Sequence, residues 1–261
     1  MKKLILITIT AFALVITSCK KETEEPKPQS QEKFAKAHIE AEFAADGQHH
    51  EETFELNKEY ENANSDLVKF ETVRYWLSNI RFVKEDGSEW SEASSYRLME
   101  KTPSKLREDF TVENIPVGKY KAIKFAIGVN PERNSSIDSA IAELNPGIGM
   151  SWTWNTGYIF FKMEGTFKNK TSGMYEPWKY HIGMNTNYKE LTINFPGTLE
   201  LSQGKTLDLN MLMKPVNVFG PKPNLMDLNT NATLMVQPAE QTLKAAENVL
   251  SCFELHHALV K

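Results

Sequence analysis

Cysteine is almost missing from this chain: Cys19 and Cys252 are the only two in 261 residues. Cys19 is read below as a lipidated residue, which leaves Cys252 alone, so no disulfide is expected within the mature chain and packing must supply its stability. Catalytic signatures are missing too. There is no Gly-x-Ser-x-Gly elbow, no glycine-rich nucleotide loop and no Cys-x-x-Cys-His haem site, which argues against nucleotide-dependent enzymes, esterases and c-type haem proteins. Positive charge is in deficit. The formal charge of -4 becomes -6 once Lys2 and Lys3 leave with the leader, a balance that offers nucleic acid no basic footprint. The chain reads as a non-enzymatic protein with no nucleotide and no nucleic-acid partner.

What is there begins at the N-terminus. Met1-Lys2-Lys3 precedes an apolar run from Leu4 to Ile16, which ends in Thr17-Ser18-Cys19. The run falls short of the roughly 20 residues needed to span a bilayer. Small residues before an early cysteine resemble a lipoprotein cleavage site, so residues 1–18 are predicted to be a signal peptide and Cys19 the lipidated first residue. An ordinary signal or an uncleaved anchor helix is the alternative. Residues 20–33 hold four Lys, four Glu and two Pro with no aliphatic or aromatic side chain, which is the composition of a solvated tether. Lys20 after the cysteine resembles lipoproteins sent to the outer membrane, and the acidic cluster Glu22-Thr23-Glu24-Glu25 leaves export to the outer surface open. The expected location is the cell envelope, anchored to the outer membrane and facing the periplasm or the exterior.

Residues 34–261 read as one β domain. Ile123, Phe125, Ile127 and Val129 alternate with Lys124, Ala126 and Gly128, and Leu207, Leu209, Met211 and Met213 repeat the pattern, each giving one apolar face at period two. Asp86-Gly87 predicts a hairpin turn after Ile80-Arg81-Phe82-Val83, and Pro116-Val117-Gly118 predicts another before Tyr120. Two segments look helical, Ser135 to Leu144 and Pro238 to Val249, the second with Leu243, Ala246 and Leu250 on one stripe. Short strands separated by turns favour an antiparallel sandwich over alternating β and α units.

Three stretches taken together are similar to the MbnP family of periplasmic copper-binding proteins. The first is Phe70 to Ile80, reading FETVRYWLSNI. The second runs from Asn114 through Tyr120 to Asn130 and Arg133-Asn134. The third holds Leu144-Asn145-Pro146, then GMSWTWNTGYIF from Gly149 to Phe160, then Glu164-Gly165, with Tyr180-His181-Ile182-Gly183 downstream. The resemblance implies an all-β, immunoglobulin-like or Greek-key antiparallel β-sandwich with one or two short helices. It also implies copper, held by histidines, in some cases a methionine, and a tryptophan oxidised to kynurenine by a partner di-haem peroxidase. Imidazole and thioether suit that ion because both are borderline-to-soft donors.

The same resemblance ranks the ligands. His181 occupies the position of the family's central histidine; a core histidine bonded to a carbonyl is the plain alternative. His256 and His257 follow, on a predicted strand from Phe253 to Val260, where period two places His257 with Phe253, Leu255 and Leu259 on the apolar face. Relatives carry a histidine just after the phenylalanine matching Phe43, whereas this chain has Ala44 and Ala45. His49-His50 in the following turn is the nearest substitute, and His38 has no special standing. Met150 and Met184 flank the two strongest motifs and could donate sulfur, or fill gaps in the core. Trp152 and Trp154 share a face and are the candidates for oxidation, or for core packing. Cys252 reads as a buried thiol. The expected function is a copper carrier or sensor; an interaction module for glycan or protein, on the same fold with the metal site lost, is the alternative.

Overall fold

The structure is a computed structural model that describes residues 33–45, 52–137, 141–153, 157–236 and 239–261. Cys19, His49, His50 and Trp154 lie outside the described residues. Fifteen strands are described: β1 (Phe34–Ala45), β2 (Glu52–Thr53), β3 (Glu59–Glu61), β4 (Leu67–Lys84), β5 (Glu89–Ser91), β6 (Tyr96–Thr102), β7 (Lys105–Arg107), β8 (Asp109–Pro116), β9 (Gly118–Ile127), β10 (Ile159–Lys168), β11 (Tyr175–Gly183), β12 (Lys189–Leu201), β13 (Thr206–Met213), β14 (Thr233–Leu234) and β15 (Phe253–Val260). The helices are α1 (Pro131–Asn134) and α2 (Ala239–Asn248).

The strands form two sheets, and the fold is an all-β sandwich. The small sheet runs β15-β13-β1-β2, with β8 also on β1; the large sheet runs β12-β9-β4-β10-β11-β14, with β3, β5 and β6 on β4 and β7 on β6. Most pairings are antiparallel, but β1 lies parallel to β13 and β14 parallel to β11. Parallel neighbours need a long crossover, and the chain between β1 and β13 contains most of the large sheet.

Period-two alternation builds the core between the sheets. Ala37, Ile39, Ala41 and Phe43 of β1 and Leu207, Leu209, Met211 and Met213 of β13 are fully buried. They meet Tyr75 and Leu77 of β4, Ile123, Phe125 and Ile127 of β9, Phe161 and Met163 of β10, and Trp178, Tyr180 and Ile182 of β11 in one cluster. Both predicted turns form. Gly87 takes φ 88° and its N–H donates to the Lys84 carbonyl at 3.0 Å, while Pro116 and Gly118 separate β8 from β9.

Three local expectations are corrected. No helix covers the described part of Ser135–Leu144: Ile141 and Leu144 exchange both backbone hydrogen bonds, at 3.1 and 2.9 Å, around Ala142 at φ 52°, a tight turn that a helix cannot contain. Helix α2 is present, with Ala246 buried and Leu250 following it packed on the core as expected, but Leu243 is 37% exposed and Thr242 and Ala245 are buried instead. Val129 is buried away from its alternating partners, in a second apolar cluster. Gly128 at φ 115° turns the chain there, and a Cβ on it would stand 2.5 Å from the Phe160 ring.

Candidate functional site

Strand β4 carries Tyr75, Trp76 and Leu77 in succession, all buried. Adjacent strand residues face opposite ways, so Tyr75 and Leu77 enter the core while Trp76 stands on the outer face of the large sheet. The connection from β9 to β10 folds over that face. There Trp76, Tyr96, Leu98, Val129, Leu144, Met150, Trp152, Tyr158, Ile159 and Phe160 make a second apolar cluster. Trp76 and Tyr158 meet edge to face with centroids 6.4 Å apart.

Polar clamps hold this connection down. Arg74 of β4 donates from Nε to Glu100 Oε2 at 2.9 Å and from Nη2 to the Ile148 carbonyl at 3.0 Å. Ser78 Oγ donates to the Gly128 carbonyl at 2.7 Å. Asn134, at the end of α1, accepts from the Tyr158 N–H at 2.7 Å and donates to Asn185 Oδ1 at 2.8 Å. Asn134, Asn185, Ser135, Thr186 and Met184 border a cavity of about 320 Å³. Trp76 Nε1 and the Tyr158 hydroxyl are buried with no hydrogen-bond partner among the described residues, a cost of about 1–3 kcal/mol each.

His181 belongs to the same face. Its neighbours Tyr180 and Ile182 are in the core, so its ring points outward from β11, across from Lys162 of β10. Two residues on, Gly183 makes room for the cluster: a Cβ there would lie 2.4 Å from the Tyr158 carbonyl oxygen and 3.1 Å from Trp152 Nε1. The signature tryptophan and the signature histidine therefore sit along one edge of the same surface. His181 Nε2 is 2.6 Å from Glu164 Oε1, and the side chain is 12% exposed. Burial pushes the imidazole pKa down; the Glu164 bond opposes this, Lys162 and Lys179 add to it, and the net shift is downward from 6.5. The ring is accordingly neutral near pH 7, the form that can bind a metal.

The C-terminal pair lies elsewhere. Strand β15 pairs with β13 so that His257 faces Asn210 and Leu255 faces Met211, which leaves His256 as the extra residue of a bulge. The bulge reverses parity: Phe253 and Ala258 are buried, whereas Leu259 is 53% exposed. His257 therefore points with Leu259 to the outer face of the small sheet, 3.9 Å from Asp208, and does not join Phe253 and Leu255 on the apolar face. His256 and His257 hold their rings 5.3 Å apart. His38 of β1 is beside Asp208 in register, on that same outer face. The core separates this face from His181, so the structure does not bring the middle and terminal histidines together. Among the described residues, no group of three or more His, Cys, Asp or Glu side chains is arranged to hold a metal ion.

Met150 and Trp152 are buried in the second cluster, at 0% and 5% exposure. Met184 stands at the end of β11 in a left-handed conformation, φ 73°. Cys252 is buried and in no disulfide, and its thiol donates to the Asn248 carbonyl at 3.9 Å. Glu164, Asn134 and Trp76 had no standing in the sequence beyond membership of the signature stretches. A signal for Trp76 was present, because three successive large apolar residues in one strand mean that both faces are covered.

The fold and this face define a two-sheet β-sandwich whose large sheet is capped by an aromatic connection. The MbnP family model matches residues 37–237, and the chain belongs to that family. Among solved structures it is similar to MbnP from Methylosinus trichosporium, at 13% identity and a TM-score of 0.45, covering 79% of this chain and 82% of that one. No curated protein sequence matches it.

Proposed function

We propose that the protein is a lipid-anchored copper-binding protein of the cell envelope, a carrier or sensor whose chemistry is ligation and not turnover. The observation that carries this reading is the convergence of the signature segments on one face, with a neutral, nearly buried imidazole at its edge. The donor types fit copper in part. His181 supplies borderline nitrogen, and Met184 and Met150 are the thioethers that flank the signature motifs. His256 and His257 lie across the core from His181 and cannot complete a site with it; His49-His50 remains the other source of imidazole. The ion supplies affinity for soft donors, and this chain's part is to orient His181 and keep water from it. A di-haem peroxidase is the proposed partner for oxidising a tryptophan, with Trp152, beside Gly183, the residue on this face. Cys19 and the charged segment after it support anchoring to the outer membrane. No described helix is long and apolar enough to cross a membrane.

Titration of the mature protein with copper, read by metal analysis and a competing chelator, tests this. One ion per chain is expected, with His181→Ala weakening binding by about tenfold or more and the His256→Ala/His257→Ala double variant leaving it unchanged. Equal uptake by His181→Ala removes that residue from the site. Absence of uptake by the wild type would favour the interaction-module reading, which the lack of a three-donor group among the described residues also supports.

A further inference from the structure

We propose that the open edge of β8 is a docking site for an extended basic segment of a partner polypeptide, which adds to the small sheet as a further strand. Neither copper nor His181 enters into it. Among the described residues β8 pairs with β1 alone. The Ala41 N–H donates to the Glu108 carbonyl at 2.6 Å, and the register continues with Ile39 opposite Phe110 and Ala37 opposite Val112. In an antiparallel ladder these alternate positions exchange the bonds with β1. Asp109 and Thr111, and Glu113 where a bulge begins, therefore turn their N–H and C=O groups to the open side, where no described residue bonds them. A strand edge left bare in this way is a template for another chain.

A cleft of about 520 Å³ opens beside this edge, lined by Thr111, Glu113 and Asn114 from the small sheet and by Trp90, Ser91 and Arg97 from the large one. Strand β5, which carries Trp90 and Ser91, pairs with β4 alone, so an unpaired edge of each sheet borders the same opening. Trp90 lies against Phe82 with centroids 6.2 Å apart, and the Arg97 guanidinium is 5.4 Å from the Phe110 ring, which puts aromatic surface next to the bare backbone. Charge selects the occupant. Asp109, Thr111 and Glu113 are exposed, neither acid is in an ion pair among the described residues, and Glu40 stands opposite Asp109 in register, where like charges repel. A second copy of this chain, paired antiparallel about Thr111, would set Asp109 against Glu113 twice and is disfavoured for the same reason. A segment with Lys or Arg four residues apart instead places a cation opposite each acid on the outer face, and its intervening residues alternate inward toward the cleft. This is strand addition, in which main-chain bonds give affinity and alternate side chains give selectivity.

The probe is a short capped peptide in which lysine and threonine alternate with valine, with its lysines four residues apart, and amide NMR of the mature protein reads the edge directly. Without peptide, the Thr111 amide is expected to exchange freely while those of Phe110 and Val112 are protected. At saturation the peptide should slow Thr111 exchange by about tenfold or more and shift the Trp90 indole signal. The same peptide, N-methylated at the amides that would face β8, keeps its charge but cannot pair, and should not bind. Thr111→Pro removes the outward donor without touching the β1 ladder, at a place where an edge strand accepts proline, and should weaken binding by about tenfold. The Asp109→Lys/Glu113→Lys double variant should lose affinity for the lysine peptide and gain it for a glutamate counterpart. Equal binding of the N-methylated peptide would mean charge attraction alone and overturns strand addition, as does failure of the unmodified peptide to bind. A Thr111 amide already protected in the peptide-free protein, by a second copy detected in sedimentation or by another part of this chain, overturns it too. If Thr111→Pro does not fold, the N-methylated peptide decides the matter.

Discussion

Among the described residues, Asp66 is the charged side chain buried most completely, with none of its surface exposed, and it shows how loops are fixed here without disulfides. Its Oδ1 lies 2.7 Å from Lys170 Nζ and accepts from Asn229 Nδ2 at 3.3 Å. Its Oδ2 accepts from Asn64 Nδ2 at 3.2 Å, Asn62 Nδ2 at 3.3 Å and the Leu228 N–H at 3.4 Å. One carboxylate thus ties the turn before β4 to the segment before β14. Burial pushes its pKa up, but the bonds from Lys170, Asn64, Asn62 and Leu228 outweigh that, and the net shift is downward from 3.8. A carboxyl with a depressed folded pKa contributes stability that is full above the unfolded value and drains away as pH falls from there through the folded value. Asp66→Ala should cost about 2–4 kcal/mol at neutral pH, since it strands several buried donors. Urea unfolding followed from pH 5 downward should show a shallower acid loss in Asp66→Asn than in the wild type. Identical slopes would mean that this carboxyl does not titrate with unfolding.

At the scale of elements, β11 matters most, because its end joins the core, the aromatic face and His181. Gly183 is needed there for space: a methyl group would meet the Tyr158 carbonyl oxygen at 2.4 Å, and backbone cannot swing aside as a side chain does. Gly183→Ala should therefore destabilise by about 1–3 kcal/mol, with a change in tryptophan emission as the Trp152 indole is displaced. A urea midpoint and emission spectrum equal to wild type would show that the connection yields freely. Elements also mark where sequence reading succeeds and where it stops. Strands such as β9 and β13 were legible because their large apolar side chains recur at period two and face the core, whatever covers the other side. The face of His257 was not, because a one-residue bulge at His256 leaves no mark in the period-two pattern before it. The expected helix over Ser135–Leu144 failed for a related reason: Ile137, Ile141 and Leu144 do pack on the second cluster, and an apolar stripe records burial, not backbone path.

Over the whole molecule, the sandwich could be read from strand pattern and family resemblance, while the candidate site could be read only in part. His181 was singled out because its motif names it, and the structure places it on the outer face of the large sheet, bonded to Glu164. Its isolation from the C-terminal imidazoles was not visible, since it depends on which outer face each strand presents across a core between two sheets. The same view separates stability from anchoring. Residues 33–261 form a compact unit of their own, and the core begins at Ala35, so the solvated composition of residues 20–33 should add nothing to folding. A lipidated Cys19 would instead decide where the protein resides. Cys19→Ser, expressed with its leader, should move from the membrane to the soluble fraction while melting within about 2 °C of the mature wild type. Partition into detergent micelles and a thermal melt read the two effects separately. Membrane retention of Cys19→Ser would refute the lipid anchor, and a large drop in its melting temperature would mean that the segment before Lys33 takes part in the fold.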